Sequence, residues 1–130
     1  MERKQEVDVK LQRVRSFLQE KNLDALLLKK QPNFSWLTAG GLNMVGITTE
    51  MGVTSLLVTA QDAYVIASRI EANRMMQEEG LGELGFKLLE YEWYDNKEMD
   101  YVKEVVGEGR VGGDAAVPGV EDVAADVNRL

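Results

Sequence analysis

The chain has 130 residues, 45% of them hydrophobic and 28% charged, which fits one globular domain and excludes global disorder. Cysteine and histidine are both absent, which excludes disulfides, thiolate nucleophiles, zinc fingers, Ser-His-Asp triads and any His-containing metal site. An all-carboxylate metal site stays open, and so does a Ser-Lys pair, although no motif marks one. The net charge is −7 and unevenly placed: residues 1–30 carry eight basic and five acidic side chains, residues 31–68 only Glu50 and Asp62, and residues 69–130 seven basic and fifteen acidic. A polyanion binder draws its affinity from neutralised phosphates, so this balance argues against nucleic acid as a partner.

Uninterrupted apolar runs are short, Ala25–Leu28 among them, far from the roughly 20 residues that cross a bilayer. The N-terminus has no apolar core for a signal peptide, and Glu2, Glu6 and Asp8 argue against a transit peptide. No membrane partner and a cytoplasmic location are therefore expected, which the lack of cysteine fits. The sequon Asn33-Phe34-Ser35 is read as chance.

In chain order, Val7, Leu11, Val14 and Leu18 fall at helical spacing and predict an amphipathic helix over Glu6–Glu20. Leu23–Leu28 follows as a strand whose apolar residues run together, as in a central strand covered on both faces. Pro32 starts a short helical turn within Gln31–Thr38, with Phe34, Trp36 and Leu37 supplying bulk. A glycine-rich loop, Ala39–Gly46, leads to a strand at Val53–Thr59. Gln61-Asp62 turns the chain into a further strand, Ala63–Ala67. Ser68 and Glu71 have capping-box spacing at the head of a helix that runs to about Glu79 and stops at Gly80.

Phe86–Trp93 reads as a strand. Asp95 and Glu98 repeat the capping-box spacing before a helix with Met99, Val102 and Val106 on one stripe, ending at Gly107. Arg110–Ala115 is a short strand. Pro118 suits the first turn of a last helix, with Glu121 and Asp122 at its positive end and Val120, Val123, Ala124 and Val127 helically spaced. That helix is cut in mid-pattern at Leu130, so a fragment of something longer is expected. The order predicts an α/β domain with three α/β/α layers around a mixed, mostly parallel five-stranded sheet.

Two G-x-G-x-x-G matches occur, at Gly80, Gly82 and Gly85 and at Gly107, Gly109 and Gly112. A dinucleotide fingerprint needs a strand before and a helix after, and both matches have the reverse order, so they read as helix ends and tight turns. The carboxylates Glu90, Glu92, Asp95, Glu98 and Asp100 are dense but fall at a strand end or on an outer helix face, where charge is usually solvated. Met44, Met51, Met75, Met76 and Met99 read as core filler. Tyr91, Trp93, Tyr94 and Tyr101 read as packing or a subunit interface. The segment Phe34–Met51, with Trp36, Gly40-Gly41, Asn43 and a solitary Glu50, is the least bland; it divides between a site and a plain surface loop.

Four stretches together carry a family resemblance. They are Leu23–Leu28, Asn33–Gly41, Glu50–Val53 continuing through Leu56–Thr59, and Arg69–Arg74 with Glu78-Glu79. They resemble the N-terminal domain of the creatinase, prolidase and aminopeptidase P family, over about Val14 to Ala116. The resemblance implies a ribonuclease-H-like fold for residues 1–130 as a single domain. It also implies a catalytic pita-bread domain beyond this chain, holding two divalent metal ions (manganese, cobalt or zinc) unless the protein is creatinase-like. The family's metal ligands are two Asp, one His and two Glu in that second domain, so no catalytic and no metal residue is carried over here.

In the family the N-terminal domain helps build the dimer and walls the substrate entrance. The matching positions are Trp36, Asn43 and Glu50. Creatinase-like members place an arginine in this loop to meet a substrate carboxylate, and Trp36–Glu50 contains none. The function implied is therefore a non-catalytic domain of an Xaa-Pro peptidase-like metalloenzyme, with its own catalytic domain and a second copy as partners. The alternative is a free-standing protein-interaction module. A carboxylate-metal nuclease has only the fold likeness and the acidic residues in its favour, and fold alone does not give function.

Overall fold

The computed structural model describes residues 3–39, 51–78, 80–92, 97–114 and 119–127. Helix α1 (Arg3–Lys21) begins earlier than its apolar stripe suggests and buries Val7, Leu11, Val14, Phe17 and Leu18. Asn22, in the left-handed region at φ 57°, turns the chain into β1 (Ala25–Lys30). Asparagine reaches that conformation at low cost. Ala25, Leu26, Leu27 and Leu28 are all at most 1% exposed, as a run without alternation requires. The short helix α2 (Gln31–Leu37) follows at once, with Pro32 in its first turn.

The antiparallel pair β2 (Met51–Thr59) and β3 (Ala63–Ser68) is joined by a tight turn. There Thr59 Oγ1 accepts the N–H of Asp62 and Thr59 N–H donates to the Asp62 carbonyl. Helix α3 (Arg69–Asn73) changes register into a π turn, Arg74–Glu78. Ser68 sits at the N-cap position in extended conformation but makes no side-chain cap; Glu71 pairs with Arg74 at 2.8 Å instead. Strand β4 (Lys87–Tyr91), helix α4 (Glu98–Val106) and strand β5 (Val111–Gly113) complete the regular part. Gly80, Gly85 and Gly107 have φ of +73°, +93° and +70°, so both glycine triplets serve turns and helix ends.

With a two-residue strand β6 (Glu121–Asp122) at one edge, the sheet order is β4-β3-β2-β1-β5-β6, and every pairing is parallel except the two made by β2. One face carries α1, α2 and the α3 region, with Leu26, Leu28, Leu56, Val58 and Val65 meeting Phe17, Phe34, Leu37 and Met75. The other face carries α4, with Ala25, Leu27, Leu57, Ile66 and Val111 against Val102. Tyr91 and Tyr101 pack at its rim, and the Tyr101 hydroxyl donates to the Glu90 carbonyl at 2.5 Å. Trp93 and Tyr94 lie outside the described residues.

The sheet has six strands rather than five, and the extra strand replaces most of the helix expected from Pro118. Residues Glu121–Asp122 form β6, pairing in parallel with Gly112 and Gly113, and helix α5 is reduced to Ala124–Val127. The cause is local. The backbone of β5 on the side away from β1 needs partners, and Val123 N–H donates to the Gly113 carbonyl at 2.9 Å. Gly112 makes the approach possible: a Cβ there would lie 2.7 Å from Leu23 and 3.1 Å from Val123. The Arg110 guanidinium grips Glu121 with two bonds of 2.8 Å and reaches the Asn22 carbonyl at 3.2 Å, joining β6 to the end of α1.

Those bonds from Arg110 hold the Glu121 carboxyl below its usual range. A carboxyl depressed in the folded state stabilises above its unfolded pKa and loses that contribution as pH falls through the folded one. The Glu121→Gln chain should therefore melt below the parent at pH 7, with the gap closing as pH is taken below 4.5, the ordinary value for this group. Thermal melts of both proteins from pH 7 to 3 check this.

Candidate functional site

Five of the six strands run in one direction, and in open α/β sheets the carboxyl ends of such strands are where sites form. Here the end of β1 leaves the core with two lysines. Lys29 has the same strand parity as Ala25 and Leu27, so its side chain rises on the α4 face. Its ammonium meets Glu98, the first residue of α4, at 2.6 Å and 2.7 Å and lies 3.3 Å from Ser55 Oγ. The Ser55 hydroxyl also donates to Glu98. Glu98 is 9% exposed, so the density of acidic residues here does not reflect a solvated outer face alone. Neighbouring Tyr91 is pushed above its usual range by burial and by the Glu98 charge, which keeps its phenol neutral.

A second buried carboxylate closes the same strand end from β5. Asp114, 1% exposed, accepts the backbone N–H groups of Lys29 at 2.8 Å and Lys30 at 3.0 Å, and the Asn33 amide at 2.9 Å. It thereby ties β5 to the β1–α2 junction and sets where α2 starts. A carboxylate with three donors suits burial.

Lys29, Ser55 and Glu98 are the Ser-Lys arrangement that the sequence left open. They neutralise one another, however: the carboxylate that would take the serine proton is already held by the ammonium. The group is built to fix α4 to β1 and β2 rather than to make a nucleophile. Sequence reasoning missed Lys29, Ser55, Glu98 and Asp114 as a unit. The signal that could have found them was a lysine pair ending a fully covered strand, which demands carboxylates nearby.

Of the three residues at the expected entrance, Trp36 lies on α2, half-buried, with the first core cluster on one side. Asn43 and Glu50 lie outside the described residues. The Lys10 ammonium stands 5.3 Å from the centre of the Trp36 ring and donates to the Trp36 carbonyl at 2.7 Å. Next to it, Arg3 Nε donates to the Thr38 carbonyl at 2.8 Å.

At the opposite end of the sheet an open groove of about 260 Å³ lies between the β2–β3 turn and the end of α4, with Asp24, Asp62, Tyr64 and Val106 among its walls. Both carboxylates are engaged, Asp24 with the Arg110 N–H at 2.7 Å and Asp62 with Lys87 at 3.0 Å. Among the described residues no three acidic side chains gather into a metal-binding group. Among the described residues no helix is long and apolar enough to cross a membrane.

Breaking the Lys29–Glu98 pair leaves one charge behind in a mostly enclosed place, so Lys29→Met should cost about 2–3 kcal/mol. The double variant Lys29→Met/Glu98→Leu should cost clearly less than the two single changes summed. Asp114→Ala leaves three donors unpaired and should cost about 3 kcal/mol. Urea unfolding midpoints of the unaltered chain and of the four variants, Glu98→Leu among them, check both expectations.

The family model of the creatinase/prolidase N-terminal domain matches residues 10–124. No match was found among curated proteins. Among solved structures, the N-terminal domain of the Xaa-Pro dipeptidase from Lactobacillus brevis is 17% identical, with a TM-score of 0.64, covering 93% of this chain and 99% of that one. Dipeptidase PepE from Mycobacterium ulcerans is 16% identical, with a TM-score of 0.72, covering 97% of this chain and 36% of that one. The prolidase from Pyrococcus horikoshii OT3 is 18% identical, with a TM-score of 0.55, covering 84% of this chain and 26% of that one. This chain therefore spans about a third or less of the two larger enzymes, and at these identities the likeness is one of fold. A family match over residues 10–124, on the same α/β/α sheet, establishes that the chain belongs to the creatinase/prolidase N-terminal domain family.

Proposed function

We propose that this chain serves as the non-catalytic N-terminal domain of an Xaa-Pro peptidase-like metalloenzyme. Its partners in that role are a catalytic domain that follows it and a second copy of the whole, and the enzyme works in the cytoplasm. The observation that carries the proposal is the family match over residues 10–124, together with coverage of 97% of this chain but only 36% of a dipeptidase. Peptide hydrolysis would then belong to the catalytic domain, where two divalent metal ions would supply Lewis acidity. The part of this chain is positional: Trp36, Asn43 and Glu50 line the substrate entrance, and Glu50 meets the free amino group of a dipeptide through a charge-assisted hydrogen bond. A free-standing interaction module is the second reading. It draws on two apolar clusters that close on themselves within the described residues.

The reading frame beyond Leu130 separates the two. A continuation of roughly 220 residues with spaced Asp, His and Glu supports the enzyme domain, and a stop codon at that point supports the module. The 130-residue chain alone should hydrolyse no Xaa-Pro dipeptide with manganese or cobalt added; metal-dependent turnover above a mock preparation would contradict this. In the two-domain enzyme, Glu50→Gln should raise KM about tenfold and leave kcat and the melting temperature nearly unchanged. A lowered melting temperature with unchanged kinetics would make Glu50 a structural residue.

A further inference from the structure

The carboxyl end of α2 is fixed from outside the helix. The helix has seven residues, too few to hold its own end rigid. Two carbonyls of its last turn, and that of Thr38 just beyond it, accept hydrogen bonds. Phe34 O accepts the Thr38 N–H at 3.0 Å and the Thr38 hydroxyl at 2.8 Å. Trp36 O accepts the Ala39 N–H at 3.3 Å and the Lys10 ammonium at 2.7 Å, and Thr38 O accepts Arg3 Nε at 2.8 Å. Cations at a helix carboxyl end meet its partial negative charge.

Ala39, the next residue, has φ 56°. That left-handed conformation costs a residue with a Cβ about 1 kcal/mol and persists only where the surroundings impose it. Lys10 makes two contacts with one residue, since the ammonium that binds the Trp36 carbonyl also stands 5.3 Å from the centre of its ring. Glu6, one turn back on α1, approaches that ammonium at 3.7 Å. The ring is thus held between the core on one side and a fixed cation.

We propose that Lys10 is a positioning residue for the substrate entrance, holding the Trp36 ring in one orientation through its paired contact with the Trp36 carbonyl and indole. The proposal rests on the reading of Trp36 as an entrance residue and adds how that residue is set. Lys10 itself touches no reacting atom. A methionine at this position keeps the apolar stem and loses the charge, whereas an arginine keeps both the donor and the cation.

The test uses the 130-residue chain with Trp93→Phe, so that Trp36 is the sole indole emitter. Lys10→Met should raise the acrylamide quenching constant of Trp36 about twofold, because a half-buried ring without its cation opens further to solvent, and Lys10→Arg should restore it. Far-UV circular dichroism should be the same in all three proteins. Quenching and emission that stay unchanged in Lys10→Met would overturn the proposal. In the two-domain enzyme, Lys10→Met should raise KM for an Xaa-Pro dipeptide about threefold with kcat unchanged. A rise in KM on Trp36→Phe without one on Lys10→Met would also overturn it. If Trp36→Phe leaves KM unchanged while the quenching result holds, the entrance reading fails and Lys10 is shown to position Trp36 for another purpose.

Discussion

Strand β1 is covered on both faces for four residues, and the chain then has to leave the sheet carrying two lysines. That constraint organises the domain. A charged side chain at the end of a buried strand must find carboxylates close by, and the backbone N–H groups that leave the ladder there must find acceptors. Glu98 answers the first need and Asp114 the second. Because Glu98 opens α4 and Asp114 ends β5, the same two carboxylates fix the helix of one layer and the strand at β1's flank. Through Asn33, Asp114 also fixes the start of α2 in the other layer.

A serine, a lysine and a glutamate come together and hydrogen-bond one another, which ties α4 to β1 and β2. The carboxyl end of α2 is gripped separately, by Arg3 and Lys10 from α1, and its Trp36 is half-buried.

Much of the fold was legible in the sequence because local and global preferences agree. The uninterrupted Ala25–Leu28 run marked the covered central strand, the spacing of Val7, Leu11, Val14 and Leu18 marked α1, and Gly80 and Gly107 marked helix ends. The sequence misled where tertiary contacts override local pattern. Val120, Val123, Ala124 and Val127 have helical spacing, yet β5's bare side and the Arg110–Glu121 pair draw Glu121–Asp122 into the sheet. Glu98 read as a capping residue because spacing does not reveal that Lys29, 69 positions away in sequence, ends up beneath it. Trp36 stood out in the sequence as bulk beside glycines, but nothing local tied it to Lys10.

Asp114 locks the carboxyl end of β1 as firmly as the sheet locks the strand's interior. Native-state hydrogen exchange at single amides measures this. The Lys29 and Lys30 N–H groups should exchange as slowly as that of Leu27, and Asp114→Ala should release these two while Leu27 stays protected relative to them. Lys29 and Lys30 amides exchanging at the rate of an open loop in the unaltered chain would contradict it.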